Sequence, residues 1–233
     1  MSDIEPFVLL SSIPDFDPRT VPVVRVDTDL PSLSVNRLSE DFLRDRFVSP
    51  PMWRPDFSVE SQLIQRTPVP ASVLIAIVQR SEPTVLLTQR TSHLSTHSGQ
   101  IAFPGGKQDA GDADFRATAL REAREEVGLQ SEFVQVLGSL PIYATGSGYS
   151  ITPVVALVRE GFVILRNPWE VDSVFEVPLA FLMNPANHRT HLLERPGIRR
   201  EWLSMPYQDG ETERYIWGAT AGILRNLYRL LSA

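Results

Sequence analysis

An α/β fold is predicted for this 233-residue chain by three observations. Short runs rich in aliphatic and β-branched residues recur from Ala71 onward, one amphipathic helical segment interrupts them, and a second helical segment closes the chain. Strand-length runs mixed with helical periodicity are the pattern of a sheet covered by helices. Residues 1–70 read as a proline-rich N-terminal extension and 71–233 as the main domain. In the extension, "SSIPDFDPRTVPVV", "VSPPMWRPDF" and "RTPVPA" favour extended segments and turns. One short helix is expected in "LSEDFLRDRF", with Ser39 as N-cap, acids in the first turn, and Phe42, Leu43 and Phe47 at helical spacing. "ASVLIAIVQR" and "TVLLTQR", split by the turn cluster "SEPT", read as a strand pair. The loop "TSHLSTHSGQ" and the stretch "IAFPGG" lead into a helix across "ADFRATALREAREEV", stopped at Gly128 as its C-cap. Strand-like "FVQVLGSL", "ITPVVALV", "FVIL" and "SVFEVPL" follow, and "GATAGILRNLYRLLSA" closes as a helix with one apolar stripe.

Composition excludes several function classes. Hydrophobic content of 42% with 21% charged residues is ordinary for a globular protein. No run approaches the roughly 18 apolar residues of a membrane span, and "MSDIEPFVLL" lacks the pattern of a secretory signal. With zero cysteines, disulfides and thiolate metal sites are excluded, which suits a cytoplasmic protein. A formal charge of −6 argues against broad binding to a nucleic-acid backbone, so an anionic substrate needs local cations.

The chemistry concentrates in "ALREAREEVGL", where Glu122, Glu125 and Glu126 crowd together. On a helix, Glu125 lies roughly 60° to one side of Glu122 and Glu126 roughly 40° to the other. The three share a face, while Leu120, Ala123 and Val127 lie on another that a sheet would bury. An exposed acidic run paired with Arg121 and Arg124 is the ordinary reading of such a segment. Partial burial changes that, because two carboxylates 5 to 6 Å apart repel by about 3 kcal/mol at an effective dielectric near 20. A divalent cation offsets the repulsion, and oxygen-only ligands suit Mg²⁺ or Mn²⁺. Upstream, Gly105 and Gly106 of "FPGG" allow close backbone approach to a metal or phosphate, and Arg121 can fix the orientation of one glutamate.

These residues resemble the Nudix hydrolase signature. Gly106, Asp112, Arg121, Glu122, Ala123, Arg124, Glu125, Glu126, Val127 and Gly128 follow its order, with Asp112 in place of the usual Glu and one extra residue before Arg121. "LLTQRTSHLSTHSGQIAFPGG", Leu86 to Gly106, resembles the extended signature of the coenzyme A diphosphatase branch through Leu86, Leu87, Thr88, Arg90, Gly99, Phe103, Pro104, Gly105 and Gly106. Thr91 and Ser95 depart from it, standing where Ser or Ala and Arg are usual. "GYSITPVVAL", "VFEVPL" and "WGATAGIL" also look like this branch, so the resemblance spans about residues 70–230.

The resemblance implies a Nudix fold, an α/β/α sandwich with a mixed β-sheet, and metal-dependent hydrolysis of coenzyme A to 3',5'-ADP and 4'-phosphopantetheine. Glu122 and Glu126 would be metal ligands, Glu125 a third ligand or the base, and Gly105 a carbonyl ligand. Glu170, in "NPWEVDSVFEV", is a further base or ligand if a loop returns it to the helix. Arg90, His93, His97 and Gly106 would meet the substrate phosphates. Two other readings compete: a Nudix hydrolase of ADP-ribose or a dinucleotide, and an inactive nucleotide-binding module. A homodimer with the proline-rich segment wrapped around its partner is also compatible with the sequence. His188 and His191 lack the helical spacing and cysteine partners of a zinc site. Trp202, Tyr207, Tyr215 and Trp217 at strand spacing read as core or interface, and Asp112 or Asp114 as a helix N-cap.

Overall fold

The computed structural model describes residues 10, 13, 16–56, 67–92, 99–196 and 198–233. The elements in order are β1 (Val23–Val26), α1 (Glu40–Val48), β2 (Val69–Val78), β3 (Thr84–Arg90), β4 (Ile101–Ala102), β5 (Gly105–Lys107), α2 (Phe115–Val127), β6 (Val134–Ser139), β7 (Tyr143–Ala144) and β8 (Tyr149–Val158). They continue with β9 (Val171–Pro178), α3 (Leu179–Leu182), β10 (Arg189–Arg195), β11 (Ile198–Asp209), β12 (Thr212–Trp217) and α4 (Gly218–Ser232).

A large mixed sheet runs β4-β3-β2-β8-β6, with β5, β7 and β9 paired to its members. β2 and β8 pair in parallel from Val69↔Tyr149 to Val78↔Val158, while β3 and β5 share the other edge of β2 antiparallel. Alternation along β2 assigns its two faces. Leu74, Ala76 and Val78 pack with Ala119, Ala123 and Val127 of α2. Ile75 and Ile77 face the opposite core, with Leu224, Leu227 and Tyr228 of α4. Helices therefore cover both faces of a mixed sheet, the predicted sandwich. Each fully buried Leu or Ile in these layers contributes roughly 1.5–3 kcal/mol.

The helix expected in the extension is α1, with Ser39 Oγ accepting from the Phe42 amide. Leu38 and Leu43 enter the core that holds α4, and the phenol of Tyr228 donates to Pro31 O at 2.7 Å. β1 pairs with β10 in a second, antiparallel sheet of order β1-β10-β11-β12. Strands β10 to β12 escaped the sequence reading. "FVIL" is corrected in the other direction: residues 162–165 form no strand but an irregular segment in which Leu165 N donates to Val127 O at 2.9 Å. α4 also exceeds its expected single stripe, because Gly222, Arg225 and Asn226 are buried along with its aliphatic residues. No helix among the described residues is long and apolar enough to cross a membrane.

Candidate active site

The register of α2 is fixed at both ends. Asp114 caps the N-terminus by accepting from the Arg116 and Ala117 amides, and Gly128, at φ +74°, closes the C-terminus in the left-handed conformation that glycine tolerates. A Cβ on Gly128 would also lie 2.6 Å from Leu165 Cβ. With Ala119, Ala123 and Val127 seated on the sheet, Glu126 turns inward and is only 3% exposed. The Glu122 side chain is 14% exposed and that of Glu125 56%. The three glutamates, read from the sequence as sharing one helix face, occupy a gradient from core to solvent.

The "FPGG" stretch meets this helix along a narrow line. Leu74 N donates to Pro104 O at 2.8 Å, and Gly105 and Gly106 pair with Val73 and Ser72 of β2. Neither glycine has room for a side chain: a Cβ on Gly105 would sit 2.4 Å from Ser72 O, and one on Gly106 2.5 Å from Glu122 Oε1. The Gly105 amide donates to Glu126 Oε2 at 3.1 Å, while Arg90 Nη1 stands 3.8 Å from Glu126 Oε1. Burial pushes the Glu126 carboxyl up to about 8, with Gly105 and Arg90 opposing and the charges of Glu122 and Glu170 adding. Glu122 is raised in the same sense, again chiefly by burial. The Arg90 Nε is buried with no hydrogen-bond partner among the described residues.

Arg121 organises the outer side. Its Nε and Nη2 each donate at 3.0 Å to Asp112 Oδ1 and Oδ2, and Nη1 lies 3.0 Å from both Glu122 Oε1 and Glu125 Oε2. The bond from Arg121, backed by the Asp109 amide and the Thr118 hydroxyl, holds the Asp112 carboxyl well below the usual range. Asp114 is therefore the N-cap, whereas Asp112 clamps the arginine that steers Glu122.

Glu170 does return to the helix. Asn167 N donates to Glu126 O at 2.9 Å, the Asn167 side chain donates from Nδ2 to Glu170 Oε1 at 3.1 Å, and Thr91 N donates to Glu170 O at 3.1 Å. Asn167 was missed from sequence, although an Asn-Pro pair three residues before an acid marks a side-chain-closed turn. His93 and His97, with Ser95 between them, lie outside the described residues. His188 and His191 do not converge. Nε2–H of His188 donates to Leu182 O, and Nδ1–H of His191 donates to Val21 O. Trp202 and Tyr215 are buried around His191, and its ring stacks on Trp202 at 5.6 Å.

Arg90, Gly105, Gly106, Glu122, Glu126 and Glu170 thus form one neighbourhood, with Arg121 and Glu125 on its rim. No three acidic or histidine side chains among the described residues converge on a common metal position, since Glu122 and Glu125 turn toward Arg121. The chemistry of the donor set nevertheless fits a hard divalent cation: the oxygens are like-charged, and those of Glu122 and Glu126 are largely desolvated.

Desolvated carboxylates beside a glycine-lined strand and an arginine form a site chemically suited to a cation and an anionic phosphate compound. A family model described as NUDIX domain matches residues 68–195. The uncharacterized Nudix hydrolase NudL of Yersinia pestis (strain Pestoides F) is 42% identical over 162 residues, covering 70% of this chain and 79% of that protein. The NudL of Yersinia pseudotuberculosis serotype O:1b (strain IP 31758) matches to the same extent. Among solved structures, a C. elegans Ap4A hydrolase binary complex shares 19% identity over 47% of this chain and 80% of that one, with a TM-score of 0.41. The chain belongs to the Nudix family and is a Nudix hydrolase. Enzymes of this class split nucleoside-diphosphate-linked compounds and generally use divalent metals.

Proposed function

We propose that this enzyme hydrolyses the diphosphate linkage of coenzyme A or a derivative, releasing 3',5'-ADP and 4'-phosphopantetheine or its acyl form, with Mg²⁺ or Mn²⁺ as cofactor. The observation that supports this reading is the meeting of Arg90, Gly105 and Gly106, from the coenzyme A diphosphatase-like stretch, with the Glu122 and Glu126 carboxylates.

Glu122 and Glu126 would hold the cation, with Glu125 completing the ligand set from the rim and the Gly105 carbonyl alongside. When bound, the ion supplies positive charge against the diphosphate and raises the acidity of water. Arg90, whose Nε has no hydrogen-bond partner among the described residues and whose Nη1 stands 3.8 Å from Glu126 Oε1, binds a diphosphate oxygen. Gly106, with no Cβ, lets the Glu122 carboxylate lie against the strand, where backbone and carboxylate together would face the substrate phosphates. Arg121 holds the Glu122 and Glu125 oxygens in place while Asp112 holds Arg121. Glu170 keeps one oxygen on Asn167 and uses the other to take the proton of the attacking water.

The test is incubation of the purified protein with coenzyme A, with and without Mg²⁺ or Mn²⁺, followed by chromatography with mass detection. Both products are expected only with metal. Intact coenzyme A in every sample would remove the substrate assignment and send the search to ADP-ribose and dinucleotides.

A further inference from the structure

We infer that Asn167 is a positioning residue that locks the Glu170 carboxylate to the catalytic helix. The inference rests on the role proposed above for Glu170.

Glu170 belongs to an irregular segment, residues 159–170, with no strand to carry it. Such a segment positions a side chain poorly unless its backbone is tied elsewhere. Several of the ties around Glu170 converge on one residue. The Asn167 amide donates to Glu126 O at 2.9 Å, so the turn starts from the last helical turn of α2. Its Oδ1 accepts from Trp169 N at 3.1 Å, and its carbonyl accepts from Glu170 N at 3.2 Å and Val171 N at 2.9 Å. Its Nδ2 donates to Glu170 Oε1 at 3.1 Å. One side chain therefore closes the turn with its oxygen and holds a carboxylate with its nitrogen. The backbone of the same residue is hydrogen-bonded to the residue carrying the most buried acid of the site.

The half-buried setting gives this arrangement its purpose. Glu170 lies within electrostatic reach of Glu122 and Glu126, both of which repel it. Without a donor on Oε1, repulsion would swing the side chain toward solvent, and the ends of the segment would still be held by Thr91 N on Glu170 O and by Leu165 N on Val127 O. Asn167 thus acts on the orientation of one carboxylate rather than on the presence of the loop.

Ser at this position can still close the turn, though more weakly, but does not reach Glu170; Asp keeps the turn acceptor and repels Glu170. The experiment compares Asn167→Ser, Asn167→Asp, Glu170→Gln and the Asn167→Ser/Glu170→Gln pair in the full chain. Coenzyme A turnover with Mn²⁺, Mn²⁺ affinity by electron paramagnetic resonance, and melting temperature are measured for each. Asn167→Ser and Asn167→Asp are expected to lower kcat by about 10- to 100-fold with KM within about threefold, the scale seen when a ligand's supporting hydrogen bond is removed. Asn167→Ser should shift Mn²⁺ affinity in the direction that Glu170→Gln does, and the double variant should lose no more than Glu170→Gln alone. Losses that sum in the double variant would overturn the inference, as would wild-type kcat in Asn167→Ser and Asn167→Asp beside an impaired Glu170→Gln. Wild-type values in Glu170→Gln would remove the role of Glu170 and the inference together, leaving metal-dependent cleavage standing.

Discussion

Arg225 on α4 and Glu126 on α2 are almost equally inaccessible, at 4% and 3% exposure, yet their surroundings differ in kind. Arg225 Nε donates to Asp56 Oδ2 at 2.7 Å, and Nη1 donates to His188 Nδ1 at 2.9 Å. Nη1 also stands 2.9 Å from Asp27 Oδ2, off the line a hydrogen bond requires, so that contact is ionic. Arg229 adds a second cation on Asp56. Glu126 has one backbone donor at 3.1 Å, a guanidinium at 3.8 Å, and two like-charged neighbours. A buried charge that serves the fold has its counter-charges inside the molecule. The α2 cluster lacks that balance, and the deficit is what a cation from solution would fill.

The largest test of this contrast is Glu126→Gln. Hydrolysis should fall by about a thousandfold, or about 4 kcal/mol in the barrier, because a preorganised charge is gone. The melting temperature of the metal-free protein should not fall, since the amide removes a desolvated acid. Turnover at the wild-type rate would break the metal assignment. Arg225→Leu should do the reverse. It removes the buried cation shared by Asp27 and Asp56, leaving them Arg25 and Arg229, and should cost about 3–5 kcal/mol in denaturant unfolding, as removal of one partner from a buried pair does, with the Mn²⁺ requirement unchanged.

Gly106→Ala sharpens the comparison within the site. The new methyl would displace the Glu122 carboxylate, whose Oε1 lies 2.5 Å from the Cβ position. Activity should drop by about 10- to 100-fold through misplacement, while the unfolding free energy changes by less than about 1 kcal/mol. The smallest effect is in pH. Burial lowers His188 to about 4 from 6.5, so the unfolded chain binds more protons between those values. Its contribution is fully present above pH 6.5 and fades as pH falls toward 4. That contribution should shrink by roughly 1 kcal/mol between pH 7 and 5.5. Glu126, raised by burial, acts oppositely in the metal-free protein, favouring the fold at low pH and disfavouring it as pH rises through about 8. Glu126→Gln should therefore steepen the acid-side loss seen by thermal melts.

Much of the site was legible because it is local. Gly128, the glutamate spacing and "FPGG" each follow from short-range rules, and the structure puts them where those rules lead. The burial gradient from Glu126 to Glu125 was not legible, since helical angle gives direction but not the depth of the neighbouring strand. "FVIL" has strand composition, yet its Leu165 amide is taken by the end of α2. β11 and β12 carried a signal that went unread: "YQDGETERYIW" contains a turn pair at Asp209–Gly210, and Gly210 adopts φ +59°.

One feature of the second sheet bears on how the protein can be handled. β10, at Arg189–Arg195, closes the segment that the NUDIX domain model matches, but its two hydrogen-bonded neighbours, β1 and β11, both fall outside that segment. An expression clone trimmed to residues 68–195 would leave β10 bare on both sides and remove α4 from beneath the sheet. The limits of the family model and the limits of cooperative folding are different lines on this chain, and excision along the first is expected to yield an aggregating fragment rather than a minimal enzyme.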